Sequence, residues 1–130
     1  TGVLSIFARQ IQEGRTLGIF EDGDIVRDFV LVDDVVEAFR LMGTCPQMPR
    51  DILDIGSGET ASIRDVASTM LQMFGRPGDD LTITGQFRPG DIRHAVADIS
   101  AARKALDWSP RVTLRDGLQR LVDWSRQQPA

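Results

Sequence analysis

Short apolar stretches of strand character alternate with amphipathic stretches of helical period along the chain, and this alternation constrains the fold more than any other feature. Apolar residues recur at helical spacing from Val3 to Ile11, and Gly14 is placed to end that helix. Strands are predicted at 16–20, 27–32, 51–58 and 81–84, with a further extended segment at 94–100. The alternation predicts the α/β class. Fewer than six strands, without obvious cover on both faces, predict an incomplete sheet.

Polar side chains that can accept hydrogen bonds from the first free amides of a helix precede four further predicted helices. Two of these starts have the spacing of a capping box, with aspartate in place of the preferred glutamate. The predicted capping positions are the pair Asp33–Asp34, Ser62 with Asp65, Ser100, and Thr113 with Asp116. Trp108 and Trp124 flank the last of these helices, and we expect both in the core.

Composition excludes several classes of function. A chain of 130 residues fits one domain with a real core, and its formal net charge of -4 argues against a general nucleic-acid surface. Any basic function must therefore be local. We expect no membrane span, because no apolar run approaches the length of about 18 residues that a span needs. The single cysteine, Cys45, cannot form an internal disulfide and agrees with a cytoplasmic location.

The segment "GSGETA", residues 56–61, matches the spacing of a dinucleotide-binding turn, since it follows a predicted strand and precedes a predicted helix. Such a turn would present the amides of the helix to a pyrophosphate. The acidic residue expected about 20 residues further on is missing, because that interval holds the turn "GRPGDD". The segment is therefore better interpreted as a tight turn between strand and helix.

Nucleophilic or metal-dependent chemistry has little support in the sequence. His94 is the only histidine, so no second imidazole can join it at a metal, and nothing local supports a pair with Cys45. We interpret His94 as a surface or hydrogen-bonded side chain. The pair Asp33–Asp34 is explained more simply as a helix cap than as an acid and base.

Arginines and an aspartate close to turns form the best candidate site. Arg88 precedes a Pro-Gly turn that holds its guanidinium where it can bind phosphate oxygens in a bidentate manner, and Arg27 is a second candidate phosphate ligand. Asp91 could accept hydrogen bonds from a ribose diol. The alternative, that both arginines pair with neighbouring surface carboxylates, is equally open from the residues alone.

Three segments in the same order resemble the NAD-dependent nucleotide-sugar epimerases and dehydratases of the extended short-chain dehydrogenase/reductase family. They read "EDGDIVRDFVLVDDVVEAF", "DILDIGSGETASIRDVA" and "RPGDIRHAVADISAARKALDWSPRVTLRDGLQRLVDW". The resemblance implies that residues 1–130 form the C-terminal, sugar-nucleotide-binding portion. That portion would contain an incomplete edge of a Rossmann sheet and a small substrate-binding α/β subdomain. Family members oxidise a sugar hydroxyl to a ketone with NAD, rearrange the intermediate and return the hydride.

The resemblance also implies roles for individual residues. Arg27 of "RDFV" and Arg88 of "RPGD" match arginines that contact the substrate phosphates, and Asp91 matches the group that binds the ribose. Gly18 and Phe20 of "LGIF" fall where the backbone of family members reads the pyrimidine base. The implied ligand is a UDP- or dTDP-sugar. The motif "EDG", residues 21–23, resembles a form familiar among dTDP-sugar epimerases, which points towards thymidine nucleotides.

The chain also departs from the family pattern. It contains no tyrosine, so it cannot supply the Tyr-x-x-x-Lys acid/base pair, and the N-terminal glycine-rich NAD turn is missing. We therefore expect NAD in a longer parent protein, none in this chain alone, and no catalysis by this chain alone. The start at Thr1, without methionine, fits a trimmed start or a part of something longer. The alternative is a stand-alone remnant that binds sugar nucleotides or a protein partner without catalysis.

If the resemblance is correct, parts of the chain lack the elements against which they would pack. We therefore expect an exposed apolar surface and an unpaired strand edge, both of which promote association. Analytical ultracentrifugation should detect dimers or larger species. A clean monomer at high concentration would contradict this expectation.

Overall fold

A computed structural model describes residues 2–47, 49 and 51–128. Within them the chain forms five helices and four short strands, which confirms the α/β class. The elements are α1 (Val3–Gln12), β1 (Leu17–Ile19), β2 (Val26–Arg27), α2 (Val32–Thr44), β3 (Ala61–Ser62), α3 (Ile63–Met73), β4 (Leu81–Ile83), α4 (Ser100–Leu106) and α5 (Leu114–Arg126).

The strands form two separate pairs. β1 and β4 are parallel, with Gly18 opposite Thr82, and α3 lies between them in the chain. β2 and β3 are antiparallel, with Arg27 opposite Ala61. A further parallel bridge joins Val26 to the segment around His94. The residues singled out in the sequence therefore lie on or beside paired backbone.

Two apolar clusters form the core of the described residues. In the larger one, α1, α3 and α5 pack on β1; its buried members are Phe7, Ala8, Ile11, Leu17, Ile19, Val66, Ala67, Met70, Leu71, Leu118 and Val122. The smaller cluster joins α2 to α4 around Trp108, which is 2% exposed, as expected. The expectation for Trp124 is wrong, because that side chain is 58% exposed on α5.

Two predicted strands are shorter than expected or absent. Of residues 27–32, only Arg27 belongs to a strand, and residues 51–58 contain no strand. An apolar run can form a strand only where a partner offers backbone donors and acceptors in register. Ile52 in the second run is 94% exposed. The prolines within residues 45–50 predict a loop there, and residues 48 and 50 of that stretch lie outside the described part of the chain.

The helix caps follow the predictions at two positions and depart from them at two others. The hydroxyls of Ser62 and Thr113 accept hydrogen bonds from amides three residues on, at 3.0 and 3.2 Å. α2 begins at Val32, so the pair Asp33–Asp34 lies inside its first turn instead of capping it. Ser100 lies within α4, and its own N–H donates to the carboxylate of Asp98 at 3.0 Å.

One face of α2 exposes apolar side chains. Val32, Val36 and Phe39 are 65%, 59% and 72% exposed, and their spacing places them on the same side of the helix. Self-association through such a surface stays a prediction. None of the described helices combines the length and apolar character that crossing a bilayer requires.

Asp34 ties α2 to the segment that precedes α5. Its side chain is buried, and its two carboxylate oxygens accept the backbone N–H groups of Arg111 and Val112, both at 3.1 Å. Its backbone carbonyl accepts the indole N–H of Trp108 at 3.0 Å. The carboxylate is thus a structural bond between two elements.

Replacing Asp34 by alanine should lower the free energy of unfolding by about 1–3 kcal/mol, because two backbone donors lose their partner. Chemical denaturation measures the difference. Asp33→Ala is the matched control, because its carboxylate is 70% exposed and pairs with Arg120 on the surface. That change should cost no more than about 0.5–1 kcal/mol. Equal losses for the two variants would contradict the structural role of Asp34.

Candidate functional site

The free edge of β1 presents unpaired backbone groups at Gly18 and Phe20. The N–H of Leu17 donates to the backbone carbonyl of Asp80 at 3.3 Å, and the carbonyl of Ile19 accepts the N–H of Thr84 at 2.8 Å. Because C=O and N–H of one trans peptide point in opposite directions, the C=O of Gly18 and the N–H of Phe20 point away from β4. In the described residues no other strand pairs with this edge. An acceptor and a donor therefore lie side by side, open to a ligand.

Residues 88–91 form a tight turn beyond β4. The N–H of Asp91 donates to the carbonyl of Arg88 at 3.0 Å, and Gly90 has a φ of 82°. Proline at the second position and a glycine of positive φ at the third are the features of a type II turn. The turn brings the backbones of Arg88 and Asp91 close together.

Arg27 and Asp91 form a direct ion pair. A terminal nitrogen of Arg27 lies 2.7 Å from one carboxylate oxygen of Asp91, and both side chains are partly buried. The other terminal nitrogen donates to the carbonyl of Val26 at 2.9 Å. The contact joins β2 to the 88–91 turn, and it matches for Arg27 the ion-pair alternative that the sequence left open.

Arg88 makes a different contact. Its guanidinium carbon lies 5.7 Å from the centre of the Phe20 ring, within the range of a cation–π interaction. Among the ion pairs between described residues, none involves Arg88. These contacts link four of the five residues that the sequence singled out, namely Phe20, Arg27, Arg88 and Asp91. The fifth, Gly18, lies two residues before Phe20.

Arginines also hold an acidic turn beside this site. Arg93 pairs with Glu21 at 3.0 Å and with Asp22, while Arg64 donates to the carbonyl of Asp22 and lies 3.7 Å from Asp24. The hydrogen bond from Arg93 lowers the pKa of Asp22 below its ordinary value. Arg93, to which the sequence gave no role, therefore ties the 88–91 segment to the turn after β1.

Asp28 is the residue at this site that sequence reasoning missed. Its carboxylate accepts four hydrogen bonds: from the amide and the hydroxyl of Ser57 at 2.7 and 2.6 Å, from the amide of Gly58 at 3.0 Å, and from the amide of Ala97 at 3.2 Å. Partial burial raises the pKa of Asp28, but the hydrogen bonds from Ser57, Gly58 and Ala97 outweigh burial and leave the pKa lowered. The only signal in the sequence was an aspartate beside a candidate arginine.

The same contacts explain the glycine-rich turn. The amides of Ser57 and Gly58, which a pyrophosphate would need, already bind the Asp28 carboxylate. A side chain at Gly56 would come within 2.6 Å of the Asp28 carboxylate and of Ala97. Residues 56–61 therefore do not fit the pyrophosphate of NAD, and the interpretation as a tight turn is the better one.

His94 and Cys45 are the remaining candidates of the sequence. His94 is exposed, as expected, and the Cys45 thiol donates to the carbonyl of Gln47 at 3.0 Å. Within the described ranges, no three His, Cys, Asp or Glu side chains come together in a way that could hold a metal ion.

The lowered pKa of Asp28 predicts a pH-dependent contribution to stability. The ionised carboxylate stabilises the fold fully above its unfolded pKa of about 3.9, and this contribution is lost as the pH falls through the lower folded value. The difference in unfolding free energy between the unaltered chain and Asp28→Asn should therefore shrink as the pH falls below about 4. Denaturation at a series of pH values measures it. A difference that stays constant into this range would contradict the hydrogen bonding described.

The chain is similar to known nucleotide-sugar enzymes in sequence and in fold. Residues 1–121 match the family model described as GDP-mannose 4,6 dehydratase. The chain is 36% identical to a dTDP-L-rhamnose 4-epimerase of Burkholderia thailandensis over 98% of its own length and 35% of that protein. It is similar to a UDP-glucose 4-epimerase of Thermotoga maritima solved with UDP-glucose, at 31% identity and a TM-score of 0.87, over 98% of this chain and 40% of that one.

A third similar structure is a UDP-glucuronic acid 4-epimerase of Bacillus cereus in complex with NAD. It is 28% identical, with a TM-score of 0.82, over 97% of this chain and 38% of that one. The chain thus spans between 35% and 40% of the length of these three proteins. The family model covers nearly all of the chain, and the relatives are nucleotide-sugar enzymes of one fold. The chain therefore belongs to the GDP-mannose 4,6 dehydratase family of NAD-dependent nucleotide-sugar epimerases and dehydratases.

Proposed function

We propose that this chain provides the part of an NAD-dependent sugar epimerase or dehydratase that binds the nucleotide diphosphate of the substrate, and that it is not catalytically competent alone. The observation that carries the proposal is the assembly of Phe20, Arg27, Arg88 and Asp91 beside the free edge of β1. Each group has the chemistry that one portion of such a ligand requires.

The edge of β1 fits a uracil or thymine base. Both bases carry an N–H donor at N3 next to a carbonyl acceptor at O4. The C=O of Gly18 can accept the N3–H, and the N–H of Phe20 can donate to O4. Two adjacent backbone groups thus supply the complementary pair without any polar side chain.

The arginines fit the diphosphate. Arg88 contacts an aromatic ring and no carboxylate among the described residues, so its donors are available to phosphate oxygens. Arg27 lies beside the turn that carries Arg88, because its guanidinium pairs with Asp91, the last residue of that turn. Within the described part of the chain, one Asp91 oxygen bonds to Arg27, while the other accepts no protein hydrogen bond and can take a ribose hydroxyl.

Catalysis belongs, in this proposal, to the longer protein. The chain has no tyrosine for the acid/base pair of the family, and its glycine turn does not fit NAD. We therefore propose that the NAD site lies in a parent protein, where hydride leaves and returns to the sugar. The single cysteine supports the cytoplasm as its location.

Replacing Arg88 by alanine should weaken UDP binding about 10- to 150-fold, because a charge-assisted contact with phosphate contributes about 1.5–3 kcal/mol. Isothermal titration calorimetry measures the affinity. Arg103→Ala is the matched control, since Arg103 is an exposed arginine on α4, and its loss should change the affinity less than twofold. Similar affinities for the unaltered chain and Arg88→Ala would remove Arg88 from the site.

CDP should bind at least about tenfold more weakly than UDP or dTDP. Cytosine carries an acceptor at N3 and an amino group at N4, so it would place an acceptor against the carbonyl of Gly18 and a donor against the N–H of Phe20. Competition calorimetry against UDP compares the three ligands. Equal affinities would show that the edge of β1 does not read the base.

A further inference from the structure

We propose that Asp28 is a positioning residue of the nucleotide site, which fixes Arg27 against the segment that carries Arg88 and Asp91 and so sets the affinity for the diphosphate. This inference rests on the proposed function. Asp28 itself would not touch the ligand, because its carboxylate points into hydrogen bonds with the protein.

Three stretches of chain meet at the Asp28 carboxylate. Asp28 directly follows β2, which carries Arg27. Ser57 and Gly58 belong to the turn before β3, the strand that pairs with β2. Ala97 belongs to the segment that runs on from the 88–91 turn. One side chain thus bonds to both neighbours of the strand that carries Arg27.

The backbone pairing around Arg27 is too short to hold it alone. β2 has two residues, and its pairing with β3 covers two positions. On the other side of β2, the N–H of Val26 donates to the backbone carbonyl of Arg93 at 2.9 Å. The N–H of Ala95 donates to the backbone carbonyl of Val26 at 3.2 Å. Strands this short are marginal without further attachment. The four hydrogen bonds of Asp28 supply that attachment one residue after Arg27.

Electrostatics and positioning predict opposite changes in UDP affinity when the negative charge of Asp28 is removed. Asp28→Asn removes a negative charge close to the proposed phosphate site, which by charge alone would strengthen the binding of an anion. It also turns one accepting oxygen into an amide donor that faces backbone N–H groups. If Asp28 acts by positioning, UDP binding must weaken although the site has become more positive.

A second variant tests the position without changing any charge. At Gly56, an added methyl group would lie 2.6 Å from an oxygen of Asp28 and 2.6 Å from Ala97. Gly56→Ala must therefore push the Asp28 carboxylate and the segment around Ala97 apart. The control is Asp34→Asn, because Asp34 is a buried carboxylate that also accepts backbone N–H groups, but those of Arg111 and Val112 in another part of the fold.

The experiment measures UDP affinity by calorimetry for the unaltered chain and the three variants, at a temperature where circular dichroism shows each one folded. We expect Asp28→Asn and Gly56→Ala to weaken binding tenfold or more, and Asp34→Asn to stay within twofold. Weakening by Gly56→Ala carries the test on its own if Asp28→Asn does not fold.

Three results would overturn the inference. Unchanged or tighter binding by folded Asp28→Asn would show that the carboxylate does not position the site. An equal loss with Asp34→Asn would assign the effect to general destabilisation. If the unaltered chain does not bind UDP, the inference fails together with the proposed function. If it binds UDP, loses affinity with Arg88→Ala and keeps it with Asp28→Asn, the inference alone fails.

Discussion

The arrangement of this site depends on the four hydrogen bonds that the carboxylate of Asp28 accepts. A carboxylate that leaves water for a partly buried position loses hydration, and that cost is offset only when fixed donors replace the solvent. Here three backbone amides and one hydroxyl do so at 2.6–3.2 Å. Those donors come from a turn and a segment that are distant in the chain, so satisfying the charge brings them together. The geometry around Arg27 follows from that requirement.

The distribution of charge is compatible with the proposed anion site in a chain of net charge -4. Arg93 and Arg64 bond to the acidic turn after β1, and Arg27 bonds to Asp91. Those contacts hold the backbone near the site and occupy some of the donors of these arginines. Arg88 lies on the ring of Phe20 and keeps its donors, because an aromatic face attracts a cation without competing for its N–H groups. Arg88 makes no ion pair among the described residues, so its donors remain available where phosphate is proposed to lie.

Local features of the fold could be predicted from the sequence, whereas features that need a distant partner could not. Ser62 and Thr113 cap helices because the amides they accept lie three residues away. The Pro-Gly turn after Arg88 is equally local. Residues 51–58 have the composition of a strand, but no described strand pairs with them.

The same distinction applies to the site. The resemblance to a family supplied Gly18, Phe20, Arg27, Arg88 and Asp91, and the structure brings four of them into contact. It did not supply Asp28, because three of the four donors to Asp28 are backbone amides, which leave no trace in residue identity, and the fourth, the Ser57 hydroxyl, is distant in the chain. For the same reason, "GSGETA" has the spacing of a nucleotide turn although its amides bind a side chain of the protein.

Backbone-amide NMR of the isotope-labelled chain during titration with UDP tests the central claim most directly. We expect the largest shifts at Gly18, Phe20, Arg88, Gly90 and Asp91, while the amides of Ser57 and Gly58 stay nearly unchanged because they remain bonded to Asp28. Shifts centred on residues 56–61, with none along β1, would contradict it and would place the phosphates on the glycine turn.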